Sequence, residues 1–272
     1  MKPHVLRSLL WTGFRFAFAG VVLVAGISSI FIGLGANYSF EWDKALRFLS
    51  WYNRGLVVTL ELFVSSAILS VVLGLVVALM RLSRWGVVRD LAGLYVHTFR
   101  NLPALVVLLL FFFGLGQAID MPSVTLFGKT FSNIFLWGMI AFGVYESSYL
   151  GETFRAGIQS VHVTQVEAAQ SLGMNYVQLM RYVVLPQAFR VILPPLTSTM
   201  VALVKETALI YLVRGIGDLT DQTRQLAIPS RPYIFEFYTI LVCYYLAIVV
   251  PLSTLSQWLE SRLGISRAKR EV

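Results

Sequence analysis

The chain has 272 residues, 57% of them hydrophobic and only 13% charged, with a formal net charge of +8. Its mean hydropathy of +0.73 excludes an ordinary soluble enzyme and a disordered chain. The single cysteine, Cys243, lies inside an apolar run, which excludes a disulfide framework or a cysteine metal site within one chain. A positive balance also suits nucleic acid, but here the basic residues sit at the edges of apolar segments rather than along one face. They read as markers of membrane topology, and no nucleic-acid partner is expected.

Lys2, Arg7 and Arg15 introduce an uncharged run from Phe16 to Phe40. Its apolar part continues through Leu34, beyond the roughly 7 to 15 residues of a signal-peptide core, which predicts a retained first helix. A polar stretch with Glu41, Trp42 and Asp43 follows. Leu56 to Met80 reads as the second helix, interrupted only by Glu61, and Ala104 to Ile119 as the third, with Pro103 where proline suits a helix start. Phe135 to Leu150, Val191 to Tyr211 and Ile234 to Leu259 complete an all-α integral membrane protein of about six spans. Lysine and arginine divide 14 to 7 between the two sides, the richer side holding both termini and a loop with Arg81, Arg84, Arg89 and Arg100. That side is predicted to be cytoplasmic.

The longest inside segment, Glu152 to Arg190, is too polar to span and patterned as two short helices. Thr164 and Glu167 have capping-box spacing, Gly173 suits a left-handed stop, Asn175 can cap the second helix, and Pro186 opens the next element. By itself this pattern is that of a structured linker.

The segment Glu167, Ala168, Ala169, three residues, Gly173, nine residues, Val183, one residue, Leu185, Pro186 resembles the EAA loop of ABC importer permeases. Phe99 to Pro103, Ser148 to Glu152 with Arg155, Gly157 and Ile158, and Lys205 to Leu209 extend the resemblance to the polar amino-acid permeases. It covers about 55–259, leaving 1–54 as an added N-terminal helix and outer loop and 260–272 as a basic cytoplasmic tail. The resemblance implies the membrane subunit of a type I importer, with a five-helix core plus one helix, in the bacterial cytoplasmic (inner) membrane. It further implies a coupling helix seated on an ATPase subunit, carried by Glu167, Ala168, Ala169, Ser171, Leu172, Gly173, Leu185 and Pro186. Implied partners are two copies of that ATPase, a second permease subunit, identical or homologous, an extracytoplasmic binding protein and a polar amino acid. ATP and magnesium belong to the ATPases, and this chain is expected to be non-catalytic and to bind no cofactor.

Charges inside apolar spans are costly and point to a pathway. Tyr145, Glu146, Ser147, Ser148 and Tyr149 form a polar patch in the fourth helix, and Lys205, Glu206 and Thr207 lie in the fifth. Two readings stay open: a buried ion pair, Glu146 with Lys205, or a substrate pathway in which Glu146 meets an α-ammonium. Neighbours on a helix point about 100° apart, so Lys205 and Glu206 are not expected to face one ligand together. Arg181 to Lys205, with Pro194, Pro195, Thr197 and Ser198, looks most like glutamate/aspartate permeases, whereas Glu146 departs from the family and would repel an acidic side chain. Another polar or cationic amino acid is the alternative, and an ion-coupled secondary transporter a more distant one. Gly128, Lys129 and Thr130 mimic the end of a phosphate-binding loop but lack its first glycine, and His4, His97 and His162 lack ligand spacing, so no nucleotide or metal site is expected.

Overall fold

The computed structural model describes residues 40–126, 128–230 and 234–262, with 21, 22, 25, 26, 28 and 29. The first predicted span lies outside the described residues except for those six, which are helical. Helices α1 (Trp42–Leu46), α2 (Leu49–Arg81) and α3 (Gly86–Asn101) come first. Next is α4 (Ala104–Leu109), which continues through a wider-wound turn, Leu110–Leu115, to Ala118. A hairpin of β1 (Val124–Leu126) and β2 (Lys129–Phe131) leads to α5 (Asn133–Gln159). Then come α6 (Val163–Ser171), α7 (Tyr176–Leu179) and α8 (Leu185–Glu206), the last two joined by a helical turn. A tighter 3-10 stretch, Thr207–Leu212, precedes α9 (Leu219–Ala227) and α10 (Ile234–Arg262).

Among the described residues, three stretches are long and apolar enough to cross a membrane: α2, the continuous Tyr176–Leu212, and α10. Helix α3 and the segment Ala104–Ala118 would make a fourth if taken as one span bent by 109°. The bend falls at Leu102 and Pro103, both extended. Proline lacks an N–H and disfavours helical backbone in the residue before it. Expecting a loop across Arg84 to Arg100 was therefore wrong. Its charges hide a helix whose Ala92, Gly93 and Val96 face inward.

The fourth predicted span extends past Leu150 to Gln159 as α5, a 27-residue helix started by Ser132, whose Oγ accepts from Phe135 N at 3.2 Å. At 1.5 Å per residue it is about 40 Å long, enough to span. It is less apolar than α2, and it is the inner helix. About half of its residues are buried, Glu146, Ser147 and Ser148 among them, and α2, α3 and α8 pack around it. Its polar groups meet protein rather than lipid. Outward residues of α2 such as Val64, Ile68, Val72 and Leu79 remain exposed, as a lipid-facing stripe requires.

Helices α2 and α5 touch without intervening side chains near Gly74 and Gly151. A Cβ on Gly74 would lie 2.8 Å from Leu150 Cβ, and one on Gly151 only 2.6 Å from Val77 Cγ1. The core beyond this contact gathers Leu62, Leu108, Phe142, Tyr145, Leu203 and Ile210 from five segments. The fifth predicted span also begins earlier, at Leu185, with Pro186 in its first turn and Pro194 and Pro195 inside.

Candidate transport site and coupling surface

The polar residues of α5 converge with those of α8, but not as an ion pair. Lys205 is exposed and makes no salt bridge among the described residues, so the expected Glu146–Lys205 pair is not formed. Glu206 instead is half-buried, with its Oε2 wholly enclosed, and lies near enough to Glu146 for the two carboxyl groups to interact. The divergence of neighbouring residues around a helix separates Lys205 from Glu206 in this way. Tyr145 lies beside the pair, and its ring meets that of Tyr149 edge to face at 5.4 Å with the two hydroxyls 3.2 Å apart.

The remaining hydroxyls are engaged by their own helices. Ser147 Oγ donates to Val144 O at 2.8 Å, Ser148 Oγ to Tyr145 O at 2.7 Å and Thr207 Oγ1 to Val204 O at 2.7 Å. These three shape the patch, while Glu146, Glu206 and the tyrosines supply its chemistry. Tyr95 of α3 joins the same patch by bonding to Val144 and Ser147. Sequence reasoning passed over Tyr95 because it lay in the supposed loop, although Ala92 and Val96 on either side carried the helical signal.

Toward the other end of α5, Glu152 is held by Arg155 Nε at 2.9 Å and by Arg81 of α2 at 3.5 Å. The Arg155 guanidinium also reaches Gln159. The Arg100 guanidinium sits 5.3 Å over the Tyr149 ring, whose hydroxyl donates to Arg100 O at 3.2 Å. Arg100 thus does more than mark an interface, since it ties α3 to α5, and Arg155 braces Glu152 and Gln159 within α5 itself.

The segment after α5 folds as the predicted pair of short helices. Asn175 and Gln178 form a reciprocal capping box at α7. The other expected box is absent. Helix α6 starts at Val163 after His162, without a side-chain cap, and Thr164 Oγ1 lies 3.0 Å from His162 Nδ1 instead. With the start one residue before Thr164, Glu167 falls too deep in the helix to reach back.

Gly173 has φ 77°, and Met174 N donates to Ala169 O at 3.2 Å, so α6 ends on the left-handed glycine its sequence announced. Ala169 is buried against Leu179 and Val184. Glu167, Ala168, Ser171, Leu172, Gly173, Leu185 and Pro186 are exposed. Leu172 is 80% and Tyr176 74% exposed, with Val177 and Tyr182 close behind. Of the Gly-Lys-Thr stretch, Gly128 lies in the hairpin turn and Lys129 and Thr130 open β2, where Lys129 Nζ binds both oxygens of Glu61, at 2.6 and 2.5 Å.

Residues 70–265 match the family described as "Binding-protein-dependent transport system inner membrane component". The chain is 36% identical over 227 residues to the probable glutamine ABC transporter permease protein GlnM of Bacillus subtilis (strain 168), covering 84% of this chain and 98% of that one. It is 35% identical to the glutamate/aspartate import permease protein GltK of Escherichia coli O6:H1, over 65% of this chain and 78% of the relative. With the arginine transport system permease protein ArgU of Corynebacterium glutamicum, identity is 33%, over 77% and 68% respectively. Among solved structures, an amino acid ABC transporter crystallised with histidines superposes with a TM-score of 0.72 at 32% identity, covering 82% of this chain and 99% of that one. The MetNI methionine ABC transporter, at 18% identity and a TM-score of 0.63 over 80% of this chain and 98% of that one, shares the fold. The chain belongs to the family of binding-protein-dependent transport system inner membrane components and, within it, to the amino-acid ABC permeases of type I fold, as a non-catalytic membrane subunit.

Proposed function

We propose that this permease carries a polar amino acid across the bacterial inner membrane, driven by two copies of an ATPase subunit docked on α6 and α7. The observation that carries the reading is the exposed apolar surface of Leu172, Tyr176 and Val177 on a helix-glycine-helix unit between α5 and α8. In the orientation proposed from the charge distribution this unit lies on the cytoplasmic side, where large exposed apolar side chains call for a protein cover. The relatives named for glutamine, glutamate/aspartate and arginine transport support an amino acid as cargo.

In this reading ATP and magnesium sit in the partner ATPases. A second permease subunit, identical or homologous, completes the pathway, and an extracytoplasmic binding protein delivers the solute. Both termini are cytoplasmic, residues 55–259 form the transport core, 1–54 an added helix and loop, and 260–272 a basic tail. Glu167, Ala168, Ser171, Leu172 and Gly173 form the docking face, Ala169 holds that face onto the unit beneath, and Leu185 and Pro186 begin the helix it moves. Closure of the ATPases rotates α5 and α8, which carry the unit between them, as rigid bodies. Tyr145, Glu146, Ser147, Ser148 and Tyr149 on α5 line the pathway with Lys205, Glu206 and Thr207, and Glu146 receives the substrate's α-ammonium.

Glu167→Lys, which reverses a charge on the docking face, and Gly173→Val, which strains the turn, are expected to abolish ATP-driven uptake in proteoliposomes while the chain remains inserted. Normal uptake by either variant, with normal stimulation of ATP hydrolysis by the liganded binding protein, would refute the docking assignment.

A further inference from the structure

Helix α3 lies where a spanning helix ends. Only residues 82–85 separate it from α2, and a Cβ on Gly93 would lie 2.7 Å from Arg81 Nη1, at the last residue of α2. Gly93 is about 10 Å along the axis from Gly86, so the first half of α3 stays within one side chain's length of the end of α2. Its 16 residues span about 24 Å, less than the hydrocarbon thickness of about 30 Å. The 109° bend to Ala104–Ala118 then turns the chain away.

Three stripes run along this helix. Ala92 and Val96 are buried, and Tyr95 beside them bonds to α5. On the opposite side Val87, Leu91 and Leu94 recur at intervals of four and three, and all are more than half exposed. Asp90, His97 and Asn101 lie between the two stripes and are exposed as well. A helix wholly in water would leave the apolar stripe uncovered, and one wholly in lipid would carry the polar stripe into hydrocarbon. Protein on one side, lipid on another and water on the third suits all three.

The charge at the helix start matches such a surface. From Arg81 to Asn101 there are four arginines and one acid. Glu152 holds Arg81, Asp90 lies 3.6 Å from Arg89, and Arg100 covers the Tyr149 ring. Arg84 is exposed and has no ion pair among the described residues. Beside it Trp85 is 76% exposed, and tryptophan favours the headgroup level of a bilayer.

We propose that α3 is an interfacial helix that docks on an anionic phospholipid surface: Val87, Leu91 and Leu94 rest among the acyl chains of the leaflet where α2 ends, and Arg84 binds an anionic headgroup. In the orientation proposed above this is the cytoplasmic leaflet. The contact is independent of the cargo carried.

The test places the permease, assembled with its ATPases in a Cys243→Ala background, in nanodiscs of equal parts phosphatidylglycerol and phosphatidylcholine. A bimane fluorophore is attached at Val87→Cys, Leu91→Cys, Leu94→Cys or His97→Cys, and gel filtration checks assembly. Bromine atoms on the acyl chains quench from lipid, and iodide quenches from water. The Leu91 and Leu94 probes are expected to lose most of their emission to brominated lipid and little to iodide, and the His97 probe the reverse. If Leu94→Cys does not assemble, Leu91→Cys decides. Bromines carried on one lipid and then on the other read the local composition. At Val87→Cys the anionic lipid should be enriched about fivefold, equivalent to about 1 kcal/mol for one arginine near an anionic surface, and Arg84→Gln should abolish the enrichment. Iodide quenching at Leu91 and Leu94 would put the stripe in water. Quenching by neither agent would put it under protein, whether the first helix, a second permease subunit or an ATPase. Either result, equal quenching by the two brominated lipids, or enrichment that survives Arg84→Gln would overturn the proposal.

Discussion

The Tyr95 hydroxyl lies 2.6 Å from Ser147 Oγ and 2.7 Å from the Val144 carbonyl oxygen, fastening α3 to the polar stretch of α5. Since Ser147 donates to Val144 O, it accepts from Tyr95 when the tyrosine proton turns its way, and the three atoms close a small ring of bonds. Tyr95→Phe keeps the ring packing and removes the hydroxyl, so it should lower stability by about 1 kcal/mol. Ser147→Ala leaves the bond to Val144 and should cost less. Thermal unfolding of the purified complex ranks the two variants, and the reverse order would remove Tyr95 from this role.

The contact between α2 and α5 predicts a specific rescue. Gly151→Ala puts a methyl group 2.6 Å from Val77 Cγ1, an overlap expected to cost about 1 to 3 kcal/mol. Val77→Ala removes the opposing methyl, so the double variant should be more stable than the sum of the single effects predicts. Strict additivity in melting measurements would mean that the helices are not in contact there.

Asp218 makes one stretch of the protein sensitive to pH. It is fully buried and caps α9 by accepting from Thr220 N at 3.1 Å, while its Oδ1 has no partner. Burial pushes its carboxyl from 3.8 up to about 7, with the charge of Asp221 adding to the rise and backbone hydrogen bonds opposing it. Between those values the folded protein holds a proton that the unfolded chain has released, so stability declines as pH rises from 3.8 to about 7 and levels off above. Asp218→Asn keeps a capping oxygen without the charge. Its advantage over the parent in melting temperature should grow across that window and be greatest near neutral pH. Parallel pH profiles for parent and variant would count against the assignment.

The proposed orientation can be read by chemical labelling. In a Cys243→Ala background, cysteines near Trp42, Lys129 and Arg224 should react with an impermeant thiol reagent added to intact cells. One near Gln170 should react only after permeabilisation. Labelling near Gln170 from outside would invert the topology drawn from the charge distribution.

Much of the molecule is legible from local chemistry. The spans of α2 and α10 follow from uninterrupted apolar length, and the end of α6 at Gly173 and the cap of α7 at Asn175 follow from residues that satisfy backbone groups within one turn. Spaced motifs gave the family because they lie in order along the chain. Local reasoning failed where side chains from distant segments decide the outcome. Helix α3 was hidden because Arg89, Asp90 and Arg100 lower its hydropathy, and only the facing surface of α5 makes its Ala92 and Val96 an interior stripe. The partner of Glu146 was likewise a question of rotation about α8. Sequence places Lys205 and Glu206 side by side, and helix packing alone determines that the acid is half-buried while the base stays outside. The chain by itself determined which charges fall within apolar stretches, because composition sets that. Tertiary structure decided which of them meet, because a pairing across helices depends on register and angle that no local pattern encodes.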